Sequence, residues 1–183
     1  MANPIYTEEQ RFIQGYWWIL LGLLVAIPFV GIFRQIFLGI PFGNNPMSDV
    51  GLIVFAACMI LFLWFFSMLK LKTTITDEGI QARFFPLANK FWAWKEIAEA
   101  ELIDYGFVGG WGIRYGTKHG TVYNVSGSKG LAIQLKNGNK VVIGTQEPDL
   151  LKQALREHKR LPPVDLEELV PPTKKIKEKQ ARS

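Results

Sequence analysis

Residues 50–69 are twenty consecutive uncharged residues that stand between Asp49 and Lys70. A helix of this length covers roughly 30 Å at about 1.5 Å per residue, which is the thickness of a bilayer's hydrocarbon core. A second uncharged stretch of twenty-two residues, 12–33, precedes it. The sequence therefore predicts two transmembrane helices, about residues 14–33 and 50–69, joined as an antiparallel hairpin.

The distribution of charge divides the chain into regions. Residues 12–69 carry only Arg34 and Asp49 as charges, whereas residues 70–160 carry fourteen Lys or Arg and nine Asp or Glu. Such a break in composition is typical of a domain boundary. It predicts a polar N-terminal lead (1–11), a transmembrane hairpin (12–69), a folded soluble domain (70–160), and a proline-bracketed linker with a basic tail (161–183).

The basic residues that flank the predicted spans indicate their orientation, because Lys and Arg accumulate on the cytoplasmic side. The loop between the spans offers Arg34 alone, whereas the outer flanks hold Arg11, Lys70, Lys72 and Arg83. Both termini are therefore predicted to be cytoplasmic. Neither span carries an ionisable Asp, Glu, His, Lys or Arg, so transport by a single chain is not expected.

The soluble region shows the two-residue hydrophobic period of half-buried strands. Asn137-Gly138 and Asp77-Glu78-Gly79 predict hairpin turns, because such residues suit tight turns. A C-terminal amphipathic helix is predicted over residues 148–159, with Leu150, Leu151, Ala154 and Leu155 on one face. About seven antiparallel strands plugged by one helix predict a partly open barrel, so the domain is α+β and mainly β. The predicted strands lie near residues 71–76, 80–85, 91–94, 98–105, 111–115, 121–126, 131–136 and 140–145.

The order of these motifs resembles the bacterial pleckstrin-homology-like (PH-like) domain family. The matching stretches are residues 74–80 (TITDEGI), 94–97 (WKEI), 109–114 (GGWGIR) and 130–145, followed by the helix after Pro148. The resemblance covers roughly residues 71–158 and implies a fold and a habit of binding or scaffolding, often behind a pair of membrane helices. It implies no catalytic residue. Together with the two predicted spans, it leads us to expect a protein of a bacterial inner membrane.

The sequence departs from the phosphoinositide-binding branch of that family at its first hairpin turn. There the family grips inositol phosphates with basic residues, whereas this chain has Asp77-Glu78. Two carboxylates would repel a phosphate. Recognition of inositol lipids at that turn is therefore not expected.

Candidate binding residues lie in the loops of the soluble domain. The glycine-rich segment 106–112 does not spell a nucleotide fingerprint and is more typical of a close-packed strand connection. The segment 126–130 lacks the glycine spacing of a P-loop and is more typical of a simple turn. A ligand or partner surface is the alternative in each case, with Gly110, Trp111, Arg114, Lys118, Ser128 and Lys129 as its candidate residues.

The remaining residue types favour no cofactor chemistry. His119 and His158 are the only histidines, and the single cysteine, Cys58, falls within the second predicted span. These residues cannot assemble a familiar zinc site, and no metal or other cofactor is expected. The tryptophans Trp92, Trp94 and Trp111 are predicted to fill the barrel.

Basic residues at two places are predicted to meet the membrane surface. Those beside the second span are Lys70 and Lys72, and those of the tail are Lys174, Lys175, Lys177 and Lys179. Each Lys or Arg near anionic headgroups contributes about 1 kcal/mol.

Two functional classes follow from these patterns. The first is a non-enzymatic module at the cytoplasmic face of a bacterial inner membrane, which binds a protein partner or forms homo-oligomers. The second is a sensor of anionic lipid or a small anion, using the tail with Arg114, Lys118 and Lys129. Nucleic acid is not an expected partner, and an enzyme is disfavoured because the usual catalytic constellations are missing.

Overall fold

The computed structural model describes residues 4–12 and 15–157. Its helices are α1 (Gly15–Ile32), which continues as a π-helical turn (Phe33–Phe37), α2 (Asp49–Met68) and α3 (Pro148–Glu157). Its strands are β1 (Pro4–Arg11), β2 (Lys70–Thr76), β3 (Gly79–Phe85), β4 (Ala88–Ala93), β5 (Ile97–Asp104), β6 (Gly112–Thr117), β7 (Gly120–Asn124), β8 (Lys129–Leu135) and β9 (Lys140–Gly144).

Helices α1 and α2 are long and apolar enough to cross a membrane. The two candidate segments, Trp18–Phe37 and Asp49–Met68, have only 17% and 11% of their residues buried, so neither is the core helix of a soluble fold. Leu52 and Ala56 are the buried positions of α2, and Leu52 lies against Gly31 of α1. The pair is thus a hairpin whose remaining apolar surface is uncovered, which is compatible with membrane association.

Aromatic rings join the base of the helical hairpin to the sheets. The ring centroids of Phe12 and Phe66 lie 5.2 Å apart, and those of Trp18 and Phe66 lie 5.9 Å apart. The indole N–H of Trp18 donates to the carbonyl oxygen of Phe12 at 2.9 Å. Phe12 and Leu69 also pack against the core of the sheet domain. The hairpin and the domain therefore share one junction.

The first sheet is an antiparallel meander in the order β1-β2-β3-β4. Its first pair brackets the helices, because Arg11 at the end of β1 pairs with Lys70 at the start of β2. The helical hairpin is thus inserted between two neighbouring strands of one sheet. The sequence predicted only a polar lead before the first span, and the structure shows that this lead contains a strand of the domain.

The second sheet has the order β5-β8-β9-β7-β6, in which β7 and β9 run parallel and the other pairs are antiparallel. The structure thus has nine described strands rather than about seven, and the prediction of a wholly antiparallel arrangement was wrong at the β7–β9 pair. The eight segments with a strand pattern after the spans, one more than the predicted barrel of about seven strands, correspond to β2–β9. The turns at residues 77–78 and 136–139 join β2 to β3 and β8 to β9 as predicted.

One core lies between the two sheets, and α3 closes it with Leu151 and Leu155. Trp92 of β4 and Tyr123 of β7 meet there edge to face, with ring centroids 6.2 Å apart. Trp94 lies in a short 3₁₀ turn after β4, packs against the core, and donates its indole N–H to the carbonyl of Thr76 at 2.9 Å. The coarse prediction of an α+β domain with a C-terminal helix behind two apolar helices is confirmed.

Candidate functional site

The glycine-rich segment 105–111 crosses the outer face of the second sheet. The segment joins β5 to β6, which are consecutive strands at opposite edges of that sheet, four strand spacings apart. Four spacings cover about 19 Å, and seven residues reach about 23 Å when extended. The connection, called here the strap, therefore spans the width of the sheet without regular structure, with bends at residues 109–111 and a positive φ at Gly106, Gly109 and Gly110.

A row of small residues beneath the strap leaves room for it. Gly130 of β8 pairs with Gly144 of β9, and a Cβ at Gly130 would lie 2.9 Å from the ring of Tyr105. At Gly144 a Cβ would lie 3.1 Å from the Tyr105 hydroxyl. The aromatic ring thus fills the furrow that the paired glycines leave. Burial raises the pKa of the Tyr105 hydroxyl above its ordinary value.

Beyond Tyr105 the strap borders a shallow cleft of about 340 Å³. Phe107 is 81% exposed beside it, although a large apolar side chain usually avoids water. The floor includes Asn124, which is 2% exposed and whose Oδ1 has no hydrogen-bond partner. The lining residues are Gly106, Phe107, Val108, Gly110, Trp111, Asn124, Gly127 and Ser128.

Three of the sequence-predicted residues meet at this cleft: Gly110, Trp111 and Ser128. Trp111 is half-buried there rather than part of the core that contains Trp92. Arg114 of β6 lies beside them, because its guanidinium approaches Gly110 so closely that a Cβ at that glycine would collide with it. Gly110 also has a φ of 128°, which side chains rarely adopt. Glycine is therefore required at position 110.

The other two candidates lie outside this cleft. Lys118 is at the tip of the β6–β7 hairpin and lines a separate cleft with His119, Glu99 and Glu101. Lys129 begins β8 opposite Asp104 of β5. Arg114, Lys118 and Lys129 consequently do not share one of the described clefts. The histidine His158 and the tail lysines Lys174, Lys175, Lys177 and Lys179 lie outside the described residues.

A third surface lies where the helices leave the first sheet. Glu9 of β1 accepts from Arg11 at 2.6 Å and from Lys70 at 3.2 Å. The hydrogen bonds from Arg11 and then Lys70 lower the pKa of the Glu9 carboxyl. Lys70 and Lys72, both predicted to meet the membrane surface, line an open cleft of about 280 Å³ with Glu9, Arg83 and Phe85.

A buried polar cluster fastens β1 to the second sheet. Glu8 is 6% exposed, and its carboxyl group accepts from the Tyr6 hydroxyl at 2.8 Å, the Thr145 hydroxyl at 2.7 Å and the backbone N–H of Gln146 at 2.7 Å. The side-chain amide of Gln10 donates to the carbonyl of Gly144 at 2.6 Å. Burial and the hydrogen bond to Glu8 raise the pKa of the Tyr6 hydroxyl. Sequence reasoning missed this cluster because inward-facing polar residues hide the strand pattern.

Within residues 4–12 and 15–157, no three His, Cys, Asp or Glu side chains are grouped so that they could hold a metal ion. No protein-family model, curated protein or solved structure matches this sequence.

Proposed function

We propose that this chain is a membrane-anchored, non-enzymatic interaction module at the cytoplasmic face of a bacterial inner membrane. Its sheet domain binds a protein partner or a second copy through the strap. The observation that carries the proposal is the strap itself, which holds the 81%-exposed Phe107 beside a cleft.

The insertion of the helices between β1 and β2 supports membrane anchoring with both flanks on one side. The paired strands require residues 4–11 and 70–76 to lie on the same side of whatever the helices enter. Two spans satisfy that requirement. The basic residues Arg11, Lys70, Lys72 and Arg83 at this junction favour the cytoplasmic side.

The location of the strap supports a partner surface. The strap covers Val122 and Val142 on the outer face of the second sheet, so Val108 contributes to a small second core while Phe107 projects into solvent. Burial of the Phe107 side chain against a partner would contribute about 1.5–3 kcal/mol of favourable free energy to binding. Exposed aromatic residues of this kind are enriched in protein interfaces.

The PH-like domain stays part of the proposal. The four-stranded meander and the C-terminal helix that closes the core fit it, whereas the parallel β7–β9 pair departs from a wholly antiparallel barrel. The alternative sensor built on Arg114, Lys118 and Lys129 has less support, because these cations lie apart.

Site-specific photo-crosslinking in intact bacterial membranes tests the proposal. A photoreactive phenylalanine analogue at position 107 should give one discrete adduct, either of doubled mass for a second copy or of a single other protein. The matched control carries the analogue at Leu150 of α3, which is 56% exposed and does not line the cleft beside the strap. Equal labelling patterns at both positions, or no adduct at position 107, would contradict an interaction surface at the strap.

A further inference from the structure

The outward side chains of β1–β3 form two charged rows at the end of the first sheet nearest the helices. The first row is Arg11, Lys70 and Phe85, and the second is Glu9, Lys72, Arg83 and Asn89. The next row along the strands, Thr7, Thr74, Gln81 and Phe91, carries no charge. Basic charge on this face is therefore confined to the end beside α1 and α2. These first two rows are called here the basic face.

The single acid of the basic face is already engaged. Glu9 pairs with Arg11 and Lys70. Lys72 and Arg83 lie directly opposite each other on adjacent strands, both exposed, and no described carboxylate forms an ion pair with either. Like charges directly opposite in a sheet are destabilising. An anion between these two side chains would remove that repulsion.

The depth of the rows matches the headgroup layer of a bilayer. Lys70 comes two residues after Met68, where α2 ends, so the first row lies at the edge of the hydrocarbon. Lys72 and Arg83 lie about 7 Å farther along the strands, at roughly 3.3 Å per residue. The headgroup region is about 5–7 Å thick on each side of the hydrocarbon core. In the proposed anchoring, strands that run on from α2 along the membrane normal would place the second row at headgroup depth and the uncharged third row beyond it.

We propose that Lys72 and Arg83 bind the phosphate of an anionic phospholipid headgroup, with Phe85 packing against its glycerol end. This inference rests on the proposed membrane anchoring. The guanidinium of Arg83 lies 5.5 Å from the centroid of the Phe85 ring, which holds it over the cleft. The cleft is open, has a volume of about 280 Å³ and is lined by Lys70, Lys72, Arg83 and Phe85 together with Glu9, which leaves room for a headgroup. An anionic lipid is favoured over a zwitterionic one, whose ammonium group these cations would repel.

Lysine acetylation of the full chain in lipid nanodiscs tests the site. Discs of phosphatidylcholine alone are compared with discs that also contain phosphatidylglycerol. The chain is treated with a neutral acetylating reagent, and the rate of acetylation of each lysine is measured by peptide mass spectrometry. We expect Lys72 to react about fivefold more slowly with phosphatidylglycerol present, the effect of about one favourable cation–headgroup contact. Lys136, exposed in the β8–β9 turn, should react equally in both discs.

Two variants distinguish a binding site formed by Lys72 and Arg83 from protection of Lys72 by mere closeness to the membrane. Arg83→Gln should restore the acetylation of Lys72 in phosphatidylglycerol discs, whereas Lys136→Gln, with the same loss of charge, should not. Protection of Lys72 that survives Arg83→Gln, or that is absent from the start, overturns the proposal. Equal protection by inorganic phosphate in phosphatidylcholine discs also overturns it, in favour of a soluble anion. Failure of the chain to co-elute with discs would instead refute the membrane anchoring itself.

Discussion

Replacement of Glu8 by Ala should weaken the domain severely, because it removes the acceptor for three hydrogen bonds, two of which join β1 to the residues that follow β9. The donors are the Tyr6 hydroxyl, the Thr145 hydroxyl and the N–H of Gln146. A buried donor left without a partner costs about 1–3 kcal/mol. For three donors the expected loss is about 3–9 kcal/mol, a large part of the roughly 5–15 kcal/mol that stabilises a typical domain.

Calorimetry of the full chain in detergent measures this effect, since the apolar helices stay in the micelle and the transition reports on the sheets. A loss of 1 kcal/mol lowers the Tm of a domain of about a hundred residues by about 4–8 °C, so Glu8→Ala should lower it by at least about 12 °C. Glu8→Gln should fall between, because its amide oxygen can still accept from Gln146 and the two hydroxyls can turn to accept from its NH₂ group.

The matched control is Glu101→Ala on β5, an exposed acid on the outer face of the second sheet. Surface substitutions of this kind change stability by about 0.5 kcal/mol or less. If Glu8→Ala melts within about 2 °C of Glu101→Ala, the carboxyl cluster does not fasten β1, and the role given to Glu8 is refuted.

Three further predictions follow from the fold. A chain that begins at residue 70 should aggregate, because it lacks β1 and exposes the edge of β2. Replacement of residues 12–69 by Asn-Gly should instead give a soluble, folded domain, since Arg11 and Lys70 are paired neighbours. Gel filtration compares the two variants. Gly130→Ala should lower the free energy of unfolding by about 1–3 kcal/mol in a denaturant titration, because its Cβ would lie 2.7 Å from the carbonyl oxygen of Ile143 and 2.9 Å from the ring of Tyr105. Gly138→Ala is the control for backbone strain without crowding, because a Cβ there meets nothing within 4 Å although φ is positive. The ion pairs of Glu9 should stabilise the fold above the ordinary carboxyl pKa, because the pKa of Glu9 is lowered, and this stabilisation should be lost as the pH falls through the lowered value. In Tm scans from about pH 6 to about pH 3, the difference in Tm between wild type and Glu9→Gln should therefore shrink with acid. A constant difference would contradict the pairing.

Hydrophobic pattern was sufficient to predict most of the fold. Strands β2–β9 and the helices follow from alternating or continuous apolar residues, because a half-buried strand and an apolar helix each leave a periodic trace. Strand β1 leaves none, since its inward positions are Tyr6, Glu8 and Gln10, two of them polar. Its burial depends on partners from residues 144–146, which no local pattern reveals.

The candidate site could be predicted only in part, because strand order is a property of the whole sheet. The glycines of the strap are visible in the sequence, but its course depends on β5 and β6 lying at opposite edges. Lys118 is separated from Gly110 and Trp111 by the length of β6, because these residues lie at its opposite ends. The pairing of Lys72 with Arg83 likewise depends on the register of β2 against β3, which brings residues eleven positions apart side by side.

The insertion of the helices between β1 and β2 imposes an order on biosynthesis. Residues 4–11 are synthesised before both helices, whereas their partner strand β2 is made only after both helices have been translated. During that interval the nascent segment of residues 4–11 has no partner strand to pair with. Glu8 and Gln10, which later become buried, make the waiting segment hydrophilic and so protect it from pairing with the wrong chain.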